Sequence, residues 1–462
     1  MTHSRSLFEF LHRVQREGAP PEVLAAASGC LLDTLGCMLF GAPEPWARIM
    51  ADEVFAESAS GRATVVGRLQ PAPAPLAALC NGTAAHGFEL DDHLDEAIVH
   101  PGAIVVSAAL AAAESVDATG ERLLLGIIAG YEVLDRLGRA MGTGPSRRGW
   151  HKTAVAGPIG AAVAAAMVRG ADAATLATAA GLACATASGT KAYASSDDGG
   201  MEKRMHAGRA AESGVRMAQL AARGFTAPDT AIEGRFGLLH VFAPDEARPE
   251  LLGEGLGQRW SIQHVYVKLH PCCAWIQAAT QQLVALRGPV PLAPQAVRRL
   301  RVGVSAYAGA QNGNPAPRDT MGAQFSIPYC AALAVTGDPA DPASYAPAAI
   351  HEPGRRALAA RVEVFTDTQM EAAYPRHYGA RVELELADGR RLSGARLDPH
   401  GMPADPCTDE ERVAKFRRLA RRVLGPAAVD ALAQAVERAP TLSSLHPITA
   451  PLRFTLPPDA AQ

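Results

Sequence analysis

Residues 81–114 read NGTAAHGFELDDHLDEAIVHPGAIVVSAALAAAE, and their change of character at Pro101 decides the fold. The first half packs Glu89, Asp91, Asp92, Asp95 and Glu96 between His86, His93 and His100. The second half is small and apolar. Proline suits the first turn of a helix, so a crowded polar turn runs into a helix of Ala, Val and Leu. Small side chains let helices approach closely, and a chain that repeats this device builds a helical bundle. Titratable groups that crowd one another have shifted pKa values, and such crowding is commoner at sites than elsewhere. A solvated loop ahead of a core helix is the plain alternative.

The same device recurs along the chain. Residues 4–17 form a first amphipathic helix. Pro20 and Pro21 open a second, with Leu24, Ala27, Leu31, Leu35, Met38 and Leu39 on one face. Asp33 lies inside it near the buried face, where a buried hydrogen bond is the expected role. Residues 62–69 read as a short extended piece and 74–85 as the helix that delivers the chain to His86. Helices follow at 121–141, 157–169 and 173–188, the last with Asp172 as its N-cap. A second polar turn, residues 191–206 (KAYASSDDGGMEKRMH), leads into a helix at 208–224.

From about residue 265 the pattern changes. A helix over 274–286 precedes strand-like alternation at 296–306, 360–366 and 380–387, the last followed by the turn Asp388-Gly389. Helix returns at 409–424 and 427–437. The expected fold is mainly α: a large all-helical domain (residues 1–266 and 403–462) with a smaller α+β lid domain (residues 267–402) inserted before the C-terminal helices.

Composition sets bounds on function. A chain of 462 residues implies two or three domains. Its net charge of −3, without a basic block, points away from nucleic acid. The N-terminus interleaves charge with apolar residues, unlike a signal peptide. The runs 103–113 and 161–168 are shorter than the roughly 20 residues a membrane span takes. Eight cysteines lack zinc-type spacing and read as reduced thiols in a cytoplasmic protein. No phosphate-binding loop, dinucleotide fingerprint or nucleophile elbow is present in the sequence.

The polar turns instead supply His100, His151, Lys203, His206, Lys268 and His270, set against Glu89, Asp91 and Asp92. Lysine and histidine together suit a small substrate with two or three carboxylates. They stabilise the charge that develops when a proton leaves carbon beside a carboxylate, and a neutral histidine or a carboxylate takes that proton. Asp91, Asp92, His93, Asp95 and His100 could ligate a divalent ion, but at no regular motif spacing. The metal-free reading is therefore preferred.

Five motifs, in order, resemble the MmgE/PrpD family: NGTAAHGFELDDHLDEAIVHPGA (81–103), GWHKTAVAGPIGAA (149–162), MEKRMHAGRAAESG (201–214), VKLHPCCAW (267–275) and QFSIPY (324–329). The resemblance implies the helical domain and lid described above, a homodimer, no metal or organic cofactor, and a site between the domains. The family's catalytic positions fall on Glu89, His100, His151, Lys203 and Lys268. The same motifs carry Asp92, His206, Cys273, Gln324 and Ser326, read as substrate-binding. The family performs dehydration, decarboxylation and epimerisation on small carboxylates. Its decarboxylases carry a histidine where this chain has Cys273, and Asp where it has Glu89. The sequence reading is thus a cofactor-independent lyase acting on a small di- or tricarboxylate, foremost a 2-methylcitrate dehydratase type. The alternatives are an amino- or iminodicarboxylate epimerase and a cis-aconitate decarboxylase type.

Overall fold

In the computed structural model, which describes residues 2–57, 60–194 and 200–456, helix accounts for 59% and strand for 8%. The chain runs through α1 (His3–Glu17), α2 (Pro21–Gly41), α3 (Pro45–Glu57), α4 (Ala74–Ala85), α5 (Pro101–Ser115), α6 (Gly120–Met141), α7 (Lys152–Val168), α8 (Ala173–Cys184) and α9 (Glu202–Ala221). Strands β1 (Val297–Val304), β2 (Val362–Thr366), β3 (Ala380–Leu386) and β4 (Arg391–Arg396) follow, then α10 (Asp409–Ala420) and α11 (Pro426–Glu437). The fold is mainly α with a small α+β region.

Two compact units are present. The first holds residues 1–190, 204–265 and 408–462. Its core is a stack of small-residue helices in which α5 lies against α4, α6 and α7, and α6 lies along α7. Every residue of α7 is buried, so this helix has no polar stripe and depends on neighbours on all sides. Glycine permits the closest approaches. A Cβ on Gly208 of α9 would stand 2.3 Å from the Leu79 carbonyl oxygen and from Thr83 Oγ1, so α9 meets α4 backbone to backbone.

Caps set several boundaries. Thr119 accepts a hydrogen bond from the Arg122 amide at the start of α6, and Asp172 accepts one from the Thr175 amide at the start of α8. Helix α2 is long and apolar enough, by length and composition, to cross a bilayer, a property that the apolar-run reading of the sequence did not register. Here most of the helix is buried. Its Asp33 meets Lys415 of α10 at 2.8 Å, both 1% exposed, so the expected hydrogen-bonding role is filled by an ion pair.

The second unit holds residues 191–203 and 266–407. Its sheet has the order β2-β1-β3-β4, with β1 parallel to β2 and the other pairs antiparallel. Along β3, Ala380, Val382, Leu384 and Leu386 are buried, which gives the period-two pattern of a sheet covered on one face. The helix Gln277–Arg287 packs on β3 and β4, and the helix Ile327–Thr336 on β2. The open face carries Arg299, Arg301, Glu363 and Glu383 as ion pairs.

Several local expectations need correction. The 62–69 piece makes only an isolated bridge, Ala63 to Ala72. Helix α9 begins at Glu202, so Lys203 and His206 stand on helix rather than in a turn. Residues 195–199 of that turn lie outside the described residues. The segment 191–203 groups with the second unit, not with the helices before it.

Candidate active site

In the first unit, α4 runs into a 3-10 turn at His86–Phe88 and the chain reverses through Glu89, whose φ is +56°. Ile98 has φ +55°, a backbone conformation that a β-branched residue rarely adopts. It closes a tight loop in which Leu94 pairs with Val99. Strain of this kind persists only where the surroundings over-determine the backbone. Here it delivers His100 to the N-cap of α5, with Pro101 as the first helical residue.

His151 occupies the same position on α7. The two helix starts are tied together because Thr153 Oγ1 accepts from the His100 amide at 3.2 Å and bonds His100 Nδ1 at 3.0 Å. The His151 ring bonds His206 of α9 through both Nδ1 atoms at 2.9 Å. His86 stacks near His151 at 5.8 Å between ring centroids and meets His100 edge-on at 5.0 Å. His86 Nδ1 bonds Asp91 Oδ2 at 2.6 Å. His93 meets His100 at 4.8 Å and bonds Asp95. Five imidazoles thus form one buried cluster at the N-termini of two helices, whose dipoles favour an anion.

The same unit holds further buried polar groups. Asp92 accepts from Tyr131 Oη at 2.5 Å and from the Gly102 amide at 2.8 Å. Burial, first of all, pushes its pKa up to about 7. Asp92 thereby links the start of α5 to α6. Glu89 is buried against Arg204 at 3.1 Å, and Arg204 stacks over Trp46. Lys152, next to His151, donates to the carbonyls of Gly138 and Gly142 at the end of α6, and burial lowers its pKa to about 7.

In the second unit, Lys203 Nζ lies 4.8 Å from the Phe325 ring centroid and 5.7 Å from that of Tyr193. Lys268 is fully buried. Gln277 clamps the loop after it: its side-chain amide donates to the His270 and Cys272 carbonyls, and His270 Nδ1 bonds Thr280 Oγ1. The Cys273 amide donates to the Gln324 carbonyl, which joins the VKLHPCCAW and QFSIPY motifs. Ser326 caps the helix Ile327–Thr336 through the Tyr329 amide. Burial raises the Cys272 thiol well above its usual pKa, so this thiol stays protonated.

His100, His151 and His206 therefore come together in one unit, which also holds Glu89, paired with Arg204, and Asp92, bonded to Tyr131 and the Gly102 amide. Lys203, Lys268, Cys273, Gln324 and Ser326 belong to the other unit. The sequence puts His86 in the crowded turn without assigning it a role, and it gives no sign of Thr153. His86 was findable as the first histidine after the α4 helix. Thr153 was not, because its partner lies 53 residues away.

The chain belongs to the MmgE/PrpD family. The family model of the MmgE/PrpD N-terminal domain matches residues 5–250, and that of the C-terminal domain matches residues 270–439. Among curated proteins, the chain is 28% identical to the cis-aconitate decarboxylase-like protein oryM of Aspergillus oryzae, across 88% of each chain. It is 26% identical to cis-aconitate decarboxylase of Aspergillus terreus, covering 93% of this chain and 91% of the relative. The human cis-aconitate decarboxylase is 26% identical, with 95% and 92% covered.

Proposed function

We propose that the protein is a lyase acting on a small tricarboxylate, with dehydration of a 2-methylcitrate-type hydroxy acid as its reaction. The observation that carries this reading is the pairing of His100 and His151 at two helix N-termini within one imidazole cluster. A dehydration needs two proton positions. One imidazole takes the proton from carbon beside a carboxylate. A second gives a proton to the departing hydroxyl. The C–H and C–O bonds break, a C=C bond forms and water leaves. The negative charge that builds on the carboxylate is met, in this proposal, by the positive dipole ends of α5 and α7. His151 and His206, joined through a shared hydrogen bond, give a proton a place to reside between steps.

A second reading, decarboxylation of cis-aconitate, is favoured by the names of the curated relatives. There a C–C bond breaks, carbon dioxide leaves, and the electron pair left on carbon takes a proton from an imidazole. Cys273, where the decarboxylases carry histidine, weighs against it.

The test is incubation of the chain with 2-methylcitrate, citrate and cis-aconitate. Dehydration gives near-ultraviolet absorbance from the hydroxy acids without gas. Carbon dioxide from cis-aconitate would replace the first reading with the second. Deuterium incorporated from heavy water without net product would replace both with an isomerase. Turnover is expected to survive exhaustive chelation; loss with EDTA, restored by one divalent ion, would overturn the metal-free chemistry.

A further inference from the structure

One ligand atom from each of His86, His100 and His151 lies within 4.8 Å of the others. Each ring has a partner on its Nδ1 atom: the Asp91 carboxylate for His86, the Thr153 hydroxyl for His100 and the His206 ring for His151. Metal-bound histidines are typically oriented in this way, with the far ring nitrogen held by a carboxylate, hydroxyl or other polar group. The Asp91–His86 bond at 2.6 Å is a carboxylate–histidine arrangement of this kind.

We propose that His86, His100 and His151 form a binding site for one divalent transition-metal ion of the Zn2+ type, with three imidazole ligands and a fourth position open. Three nitrogen donors select borderline ions such as Zn2+ or Co2+ over Mg2+ and Ca2+, which take oxygen. Tetrahedral Zn2+ at roughly 2.0–2.1 Å from each nitrogen sets the nitrogens about 3.4 Å apart. A contraction on the order of an ångström from the observed spread therefore closes the site. Asp91 and Asp95, hydrogen-bonded to His86 and His93, offset the positive field of the helix starts. The binding claim stands apart from the reaction proposed above. Where that reading also holds, ion and proton compete for the same nitrogens, and Zn2+ is an inhibitor.

The test uses the full chain stripped of metal and titrated with Co2+, then Zn2+. The expected result is one equivalent bound, with the visible absorption of four-coordinate Co2+ and no near-ultraviolet thiolate charge-transfer band. Zn2+ then displaces Co2+ one for one, and Mg2+ does not. His86→Gln and His151→Gln, at unchanged melting temperature, lose stoichiometric binding. Asp91→Asn weakens it about 10–100-fold, as loss of an orienting partner does. The proposal is overturned by absence of stoichiometric binding to the wild-type chain, by a thiolate band, or by unchanged affinity in folded glutamine variants. The wild-type spectrum alone reports the ligand type, so a variant that fails to fold leaves the test intact. Inactivity towards every carboxylate would count against the lyase reading and leave the binding result standing.

Discussion

His151 and His206 meet through their Nδ1 atoms at 2.9 Å, so one ring donates and the other accepts. That edge holds a single proton while the bond persists, an arrangement suited to passing one on. His151→Gln is expected to lower kcat by about 10²–10⁴-fold, with little change in melting temperature, because glutamine keeps a polar side chain that can still bond His206. A large fall in melting temperature with near-normal turnover would instead make His151 a structural residue. Asp92 yields a pH prediction. Its pKa is raised from 3.8 to about 7, chiefly by burial, so the folded chain holds a proton there that the unfolded chain has lost. Its contribution to stability is full below about pH 4 and is lost as pH rises towards 7. Asp92→Asn, which can still bond Tyr131 and Gly102, should flatten that part of the stability-versus-pH curve; denaturant unfolding of both proteins from pH 4 to 8 measures it. An unchanged slope would remove Asp92 as the source. At this scale the sequence is legible where a histidine stands just before a helix, as His100 and His151 do. It is silent on Thr153 and Tyr131, whose partners lie 53 and 39 residues away, because only folding makes them neighbours.

Helices read from the sequence survive best where periodicity or a cap marks them, as in α2, α6 and α8. Helix α7 begins five residues before the expected position 157 because all of its residues are buried and no amphipathic stripe signals its start. The strand β4, RLSGAR, is too short and mixed to announce itself. Its register comes from β3, where Val382 faces Gly394 and Leu384 faces Leu392. Glycine is the other device of this scale. At Gly208 a methyl group would collide with the Leu79 carbonyl and Thr83 Oγ1 of α4, both on the buried side of a rigid helix. Overpacking of this kind typically costs about 1–3 kcal/mol. Gly208→Ala is therefore expected to lower the denaturation midpoint despite alanine's higher helix propensity. Because α9 carries His206, the same substitution should reduce turnover as well. A stabilised Gly208→Ala protein would show that α4 and α9 have room to spare.

On the scale of the whole chain, the change to period-two alternation after residue 296 makes the inserted sheet legible, and the return of helix at 409 announces a homeward segment. What the sequence does not disclose is how that segment is held. Lys415 of α10, 1% exposed, meets Asp33 of α2 at 2.8 Å and donates to the Leu90 carbonyl at 2.6 Å. One ammonium thus ties the end of the chain to its second helix and to the polar turn that carries the histidines. Two charges withdrawn from water are stable only together. Lys415→Met leaves Asp33 uncompensated and the Leu90 carbonyl without this donor, and breaking a buried pair typically costs about 3–5 kcal/mol. Asp33→Ala combined with Lys415→Met removes both charges, so the double variant is expected to be more stable than Lys415→Met alone. Urea unfolding of the two single variants and the double variant decides this. If the double variant is the less stable, the pair does not act as a charge clamp, and Lys415 holds the chain chiefly through Leu90. If Lys415→Met also loses turnover while still folded, the clamp reaches the imidazole cluster through Leu90 and the Asp91–Asp92 turn beside it.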